Sequence, residues 1–119
     1  MINPQRGLLE FSVIPAPAGG KAGKVKFSVR NAGKFVHEFV VVKTDLDPFM
    51  LPTKTNGSVD EDKVNGIDEL EDIKAGTTAT LKVTLQPGKY ALICNVVDEE
   101  DGKPEVHYKL GMRAAFTVR

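Results

Sequence analysis

The amino-acid sequence predicts an all-β protein, an antiparallel β-sandwich or barrel. Short segments in which apolar and polar residues alternate recur along the chain, and clusters of Gly, Pro and Asn separate them. Six such strands with turns between them are typical of this architecture. The 119 residues suit one domain over 1–119, and a hydrophobic fraction of 41% supplies enough side chains for a two-layer core.

Three strands are predicted in the N-terminal half, at residues 9–13, 24–30 and 35–42. In the second of them the alternation is unbroken, so that Val25, Phe27 and Val29 face inward. The third is almost uniformly apolar, which is expected of a central strand covered on both faces.

Three further strands are predicted in the C-terminal half, at residues 77–85, 90–97 and 113–118. The inward positions of the first and last of these strands are Ala79, Leu81, Val83, Leu85, Ala114, Phe116 and Val118. Residues 86–89 suit a tight turn, with Pro and Gly at its two central positions. We expect the Tyr90 hydroxyl to tie this turn back to the backbone.

The long insertion at residues 44–76 interrupts the pattern of strands. Within it, residues 68–73 are predicted to form a short helix, with acidic residues near its N-terminus where the helix dipole favours them. The insertion is therefore expected to be partly helical. A segment of this length in a compact domain is usually functional or mobile.

The charges balance, because sixteen Lys and Arg face sixteen Asp and Glu. Nucleic-acid binders carry a basic excess, so the sequence excludes that class. The longest apolar run, near residues 39–42, is far too short to span a membrane. The charges are nevertheless segregated, with a basic segment at 21–34 and acidic segments at 60–72 and 98–105. These segments are either solvated faces or a docking patch for a protein partner.

Side chains that bind soft metals are few, with one Cys and two His in the chain. His37 lies in the apolar third strand, and Cys94 lies toward the end of the fifth. His107 and Met112 flank residues 108–111, directly before the last strand. Taken singly, each residue type is more often part of a core. Together, two imidazoles, a thiolate and a thioether are the ligand set of a trigonal copper site with a weak axial Met.

Three segments resemble the cupredoxins, the family of blue copper proteins. Residues 29–39 (VRNAGKFVHEF) look like the strand that carries the first His ligand. Residues 85–94 (LQPGKYALIC) resemble the turn and strand that lead to the copper Cys. The spacing His107-x₄-Met112, followed by residues 116–118 (FTV), is similar to the closing motif of plastocyanin-like members.

The resemblance implies a Greek-key cupredoxin-like sandwich with one type 1 copper ion. By the resemblance His37, Cys94 and His107 are the equatorial ligands and Met112 is the axial ligand. It also implies an electron carrier, which we expect to be a monomer that exchanges single electrons with a protein donor and a protein acceptor. The N-terminus shows no signal peptide, whereas the resemblance implies a periplasmic or other extracytoplasmic location, for which an export segment would have been removed.

Two features depart from the family pattern. Twelve residues separate Cys94 from His107, where familiar members have a much shorter loop. Glu38 follows the first His, where many members place Asn. We also expect Asn31 either to support the ligand strand through hydrogen bonds to the backbone or to be a plain turn residue.

Three functions remain open from the residues. The first is electron transfer, with electrons passing through the His107 edge if it is exposed. The second is copper storage, delivery or sensing, in which the long Cys–His loop opens. The third is a metal-free interaction domain. An enzyme is not expected, because a multicopper oxidase or copper nitrite reductase needs further His ligands and a dinuclear centre needs a second Cys.

Overall fold

The computed structural model describes Val13 and residues 19–100 and 102–119. The described residues form nine strands: β1 (Gly19–Gly20), β2 (Gly23–Arg30), β3 (His37–Lys43), β4 (Asn65–Ile73), β5 (Thr78–Leu85), β6 (Gly88–Ile93), β7 (Val97–Glu100), β8 (Lys103–Val106) and β9 (Arg113–Val118). They also form one helical turn, α1 (His107–Leu110), and two 3₁₀ turns at Pro48–Met50 and Glu61–Lys63. The strand predicted at 9–13 lies outside the described residues, apart from Val13.

The strands form two layers around a core, as the sequence predicts. A five-stranded sheet has the order β1-β9-β6-β3-β4, and β2 pairs with β5 along its whole length. Apolar side chains from both layers meet between them, including Phe27 of β2, Leu81 of β5, Phe39 of β3 and Phe116 of β9. The inward faces predicted for β2, β5 and β9 are confirmed by this core.

The outer face of the five-stranded sheet is covered as well. Val40 and Val42 of β3 and Ile93 of β6 pack there with Leu51 and Val59, which the insertion contributes. The central strand is therefore apolar on both faces, as predicted. The insertion serves this packing because its residues cover a sheet face that would otherwise meet water.

The helix predicted at residues 68–73 is wrong, because this segment belongs to β4, antiparallel to β3. The less exposed residues of β4 are apolar and recur at a spacing of three: Ile67, Leu70 and Ile73. Each of two register shifts places one extra residue of β4 opposite β3, so the inward positions recur every third residue instead of every second. Beyond its two 3₁₀ turns, the described insertion contains no helix, and the expectation of a partly helical insertion fails.

The chain after β6 also differs from the expectation. The strand predicted at 90–97 ends at Ile93, and Cys94 lies outside it. Residues 95–106, expected to be a long loop, contain the antiparallel hairpin of β7 and β8. None of the helical segments in the described part of the chain has the length and apolar character of a membrane span.

Candidate metal centre

The sheet places His37 and Cys94 together. His37 is the first residue of β3, and Cys94 directly follows β6. These strands are antiparallel neighbours in which Val40 pairs with Ile93. The start of β3 and the end of β6 therefore lie at the same end of the sheet, where His37 and Cys94 meet.

The segment between β8 and β9 supplies His107 and Met112. His107 begins α1, and Met112 follows the turn and precedes β9. The Met112 N–H donates to the His107 carbonyl at 3.1 Å, and the Cys94 N–H donates to the Met112 carbonyl at 3.1 Å. The second of these bonds attaches the segment to the chain directly after β6, and Met112 is buried there.

The donor atoms of three predicted ligands lie close together. The Nδ1 atoms of His37 and His107 are 3.0 Å apart, and the Cys94 Sγ is 3.7 Å from each of them. All three side chains are buried. Donor atoms that share one ion through bonds of about 2.0–2.3 Å lie about 3–4 Å apart, so this cluster has the dimensions of a metal site.

The surroundings of Cys94 favour a cation. Burial raises the pKa of its thiol to about 12, although backbone N–H groups of Glu38 and Val96 act in the opposite direction. The Glu38 N–H donates to Sγ at 3.3 Å. A thiolate at this position therefore needs a positive partner. A thiolate with two imidazoles suits copper and also zinc, so the donor chemistry fits the implied metal.

Asn31 supports the strand that carries His37. Its side-chain Nδ2 donates to the carbonyls of Phe35 and Ile73 at 2.8 Å each, and its Oδ1 accepts the Gly33 N–H at 2.9 Å. Ile73 pairs with His37 across β4 and β3. Of the two roles expected for Asn31, these hydrogen bonds support the brace, and the amide joins the turn before β3 to the end of β4.

Glu38 pairs with the backbone beyond Cys94. Its Oε1 accepts the Asn95 N–H at 3.1 Å. Burial raises the pKa of the Glu38 carboxyl to about 7, and the nearby Glu61 carboxylate adds to the shift. Asn95 in turn donates from Nδ2 to Glu61 at 2.8 Å. The residue that departs from the family pattern thus connects β3 to the chain after Cys94.

Sequence reasoning missed Asp98. The Nε2 of His107 lies 3.0 Å from Asp98 Oδ2, and the imidazole is fully buried. The available signal was the dipeptide Asp101-Gly102, which is typical of a tight hairpin and would have turned the expected loop into two paired strands. Even so, which hairpin side chain would reach His107 could not be read from the sequence.

A two-layer β-sandwich with a buried His–Cys–His cluster at one end of its sheet is the architecture of a cupredoxin, and the cluster fits a blue copper site with one copper ion. Among solved structures, the chain is similar to the crystal structure of dithionite-reduced auracyanin, a cupredoxin, from the photosynthetic bacterium Roseiflexus castenholzii. The similarity covers 86% of this chain and 84% of auracyanin, at a TM-score of 0.55 and 18% identity. No protein-family model matches the chain. No curated protein sequence matches it either.

Proposed function

We propose that the protein carries single electrons between a protein donor and a protein acceptor by means of one copper ion. His37, Cys94 and His107 are the proposed equatorial ligands, and Met112 is the proposed axial ligand. The observation that carries this proposal is the convergence of three buried donor atoms, 3.0–3.7 Å apart, in a cupredoxin fold. We also propose an extracytoplasmic location, as the resemblance to cupredoxins implies.

A bound copper ion would supply the one-electron couple between Cu(II) and Cu(I). The protein's own task is to keep the donor atoms fixed while the charge of the site changes. His37 and Cys94 suit this task because their strands are packed on both faces. The Glu38 N–H stabilises negative charge on the Cys94 sulfur. Burial of all three donors keeps water away from the ion.

The expected route through an exposed His107 edge does not hold. The ring has 0% exposure, and Asp98 occupies its Nε2 side. Electrons that reach the site must therefore cross at least one layer of protein atoms. This cover still suits an electron carrier, because a buried site excludes small oxidants while a redox partner docks on the surface.

The number of histidines supports an electron carrier rather than a copper enzyme. Both histidines of the chain lie in this one cluster, which leaves no imidazole for a second copper centre. The alternative function, copper storage or delivery, is favoured by one observation: His107 and Met112 lie outside the five-stranded sheet, next to a hairpin that would have to move for release.

The test combines voltammetry with a chelator. The protein loaded with one equivalent of copper is expected to give a reversible one-electron wave, and to retain its metal in both oxidation states during incubation with a competing chelator. An irreversible wave, or rapid loss of copper on reduction, would support delivery instead. A chain that takes up no stoichiometric copper would contradict both functions. A Glu99→Gln variant, altered on an exposed part of the hairpin, is the matched control.

A further inference from the structure

The hairpin of β7 and β8 directly precedes His107 and is hydrogen-bonded to its backbone. Its ladder pairs Val97 with Val106, and the bond from the His107 N–H to the Val96 carbonyl at 3.0 Å extends the pairing by one step. His107 is therefore the direct continuation of β8. The position of the hairpin and the position of this ligand are fixed by the same backbone hydrogen bonds.

Asp98 is the hairpin residue that faces His107. Its Oδ2 lies 3.0 Å from Nε2, on the side of the ring opposite the Nδ1 that approaches His37 and Cys94. The other oxygen, Oδ1, is buried and makes no hydrogen bond within the described part of the chain. The carboxylate is thus directed to His107 and to no other described partner.

We propose that Asp98 is a positioning residue for His107 and that it favours the oxidised form of the site. By accepting the Nε2–H, the carboxylate selects the tautomer whose Nδ1 lone pair is free to bind a metal. It fixes the ring orientation and makes Nδ1 a stronger donor. Its negative charge, next to the fully buried imidazole, also stabilises the more highly charged Cu(II) state over Cu(I). This inference rests on the proposed function.

Two variants separate the hydrogen bond from the charge. Asp98→Asn removes the charge but keeps an oxygen that accepts the Nε2–H, whereas Asp98→Ala removes both. Glu99→Gln is the matched control, since it removes one carboxylate from the next residue of β7, which is exposed. Unfolding of each metal-free variant shows whether it remains folded before copper is added.

The first measurement is the reduction potential. Asp98→Asn is expected to weaken Cu(II) relative to Cu(I) binding by roughly tenfold, which raises the potential of this one-electron couple by ~59 mV. Glu99→Gln is expected to shift the reduction potential much less, because the Glu99 side chain is exposed to water. Equal shifts in Asp98→Asn and Glu99→Gln would overturn the proposal.

The second measurement is the proton NMR signal of the His107 Nε2–H in the diamagnetic Cu(I) protein. A slowly exchanging signal is expected in the wild type and in Asp98→Asn, and rapid exchange is expected in Asp98→Ala. An unchanged signal in Asp98→Ala would overturn the positioning role. If the wild type instead takes up no copper, the proposed function fails and this inference fails with it, so the two failures are distinguishable.

Discussion

The two halves of the candidate metal centre are held in different ways. His37 and Cys94 lie at the ends of β3 and β6, which are hydrogen-bonded neighbours with apolar packing on both faces. We call this the sheet half. His107 and Met112 lie in the segment between β8 and β9, the loop half, where one short helical turn is the only regular structure. Strand register sets the sheet half, whereas the loop half is set by backbone hydrogen bonds to Val96 and Cys94 together with contacts of individual side chains.

Tyr108 anchors the loop half to the insertion. Its hydroxyl donates to the Pro48 carbonyl and accepts the Leu51 N–H at 3.2 Å, so α1 is attached to the insertion. The Arg113 guanidinium lies 4.2 Å from the Phe49 ring centroid and 5.3 Å from that of Tyr108. The insertion, which the sequence left without a role, thus supports both the outer sheet face and the segment that carries two proposed ligands.

The largest expected effect comes from a cavity in the sheet half. Leu92→Ala removes a buried core side chain from β6, the strand that ends directly before Cys94, and we expect a loss of roughly 2–5 kcal/mol in the free energy of unfolding. Leu110→Ala in the loop half is the matched control, because Leu110 is exposed and its loss should stay within about 0.5 kcal/mol. Urea unfolding of the metal-free proteins measures both. Similar losses would contradict the assignment of stability to the sheet half.

A smaller effect is expected from the anchor of the loop half. Tyr108→Phe leaves the Pro48 carbonyl and the Leu51 N–H without this partner, which should destabilise the protein by about 1–3 kcal/mol. It should also broaden the visible spectrum of the copper protein, because His107 becomes less fixed.

Tyr90→Phe is the control for that variant. Its hydroxyl donates to the Gln86 carbonyl at 2.6 Å, which confirms the bond expected from the sequence, and this contact belongs to the turn before β6. Loss of that hydroxyl should lower stability without altering the copper spectrum. Identical spectra for Tyr108→Phe and the wild type would show that the anchor does not act on the ligand.

The proposed axial ligand gives a third contrast. Met112→Leu keeps a buried apolar side chain but removes the sulfur, so the fold should be retained. The more apolar site should disfavour Cu(II), and we expect a change of roughly tenfold in the Cu(II)-to-Cu(I) preference, or ~59 mV toward a higher potential. Voltammetry checks this value. An unchanged potential would exclude Met112 as a ligand and leave only His37, Cys94 and His107 in that role.

The smallest effect concerns the acidic strand β4. Desolvation, together with Glu71, Glu61 and Asp68, raises the pKa of Glu69 above its usual value. Ionised Glu69 therefore opposes folding, and Glu69→Gln should stabilise the protein at pH 7 by about a few tenths of a kcal/mol, because the group is largely exposed and screened. The gain should vanish as the pH falls below about 4, where the carboxyl is protonated in both the folded and the unfolded state. Thermal unfolding at both pH values measures the gain, with the exposed Asp45→Asn as control; a gain independent of pH would contradict this origin.

The sequence was most informative for strands in which apolar and polar residues follow one regular pattern. Alternation in β2, β5 and β9 identified their inward faces, and the apolar β3 indicated cover on both sides. It failed in β4, where two register shifts put the inward residues at every third position, so this strand lacks the alternation that identified the others. Bulges depend on the partner strand, so the residues of β4 alone do not reveal them.

The same distinction applies to the site. Scarcity of His and Cys made His37, Cys94 and His107 candidate ligands, and the structure brings these three together. The contacts around them were largely beyond the sequence, since Asp98 and Tyr108 reach their partners through tertiary packing of a hairpin and an insertion. The supporting role of Asn31 was expected only as one of two possibilities, because a turn residue and a supporting residue have the same local sequence.

The most direct test of the central claim, that Cys94 and the two histidines hold one copper ion, is a visible absorption spectrum. One equivalent of Cu(II) is added to the metal-free wild type, to Cys94→Ser, and to Ala91→Ser, which places a hydroxyl at another buried position of β6. We predict an intense thiolate-to-copper charge-transfer band in the wild type and in Ala91→Ser, and its loss in Cys94→Ser. A colourless wild type, or a weak band that persists in Cys94→Ser, would contradict the account.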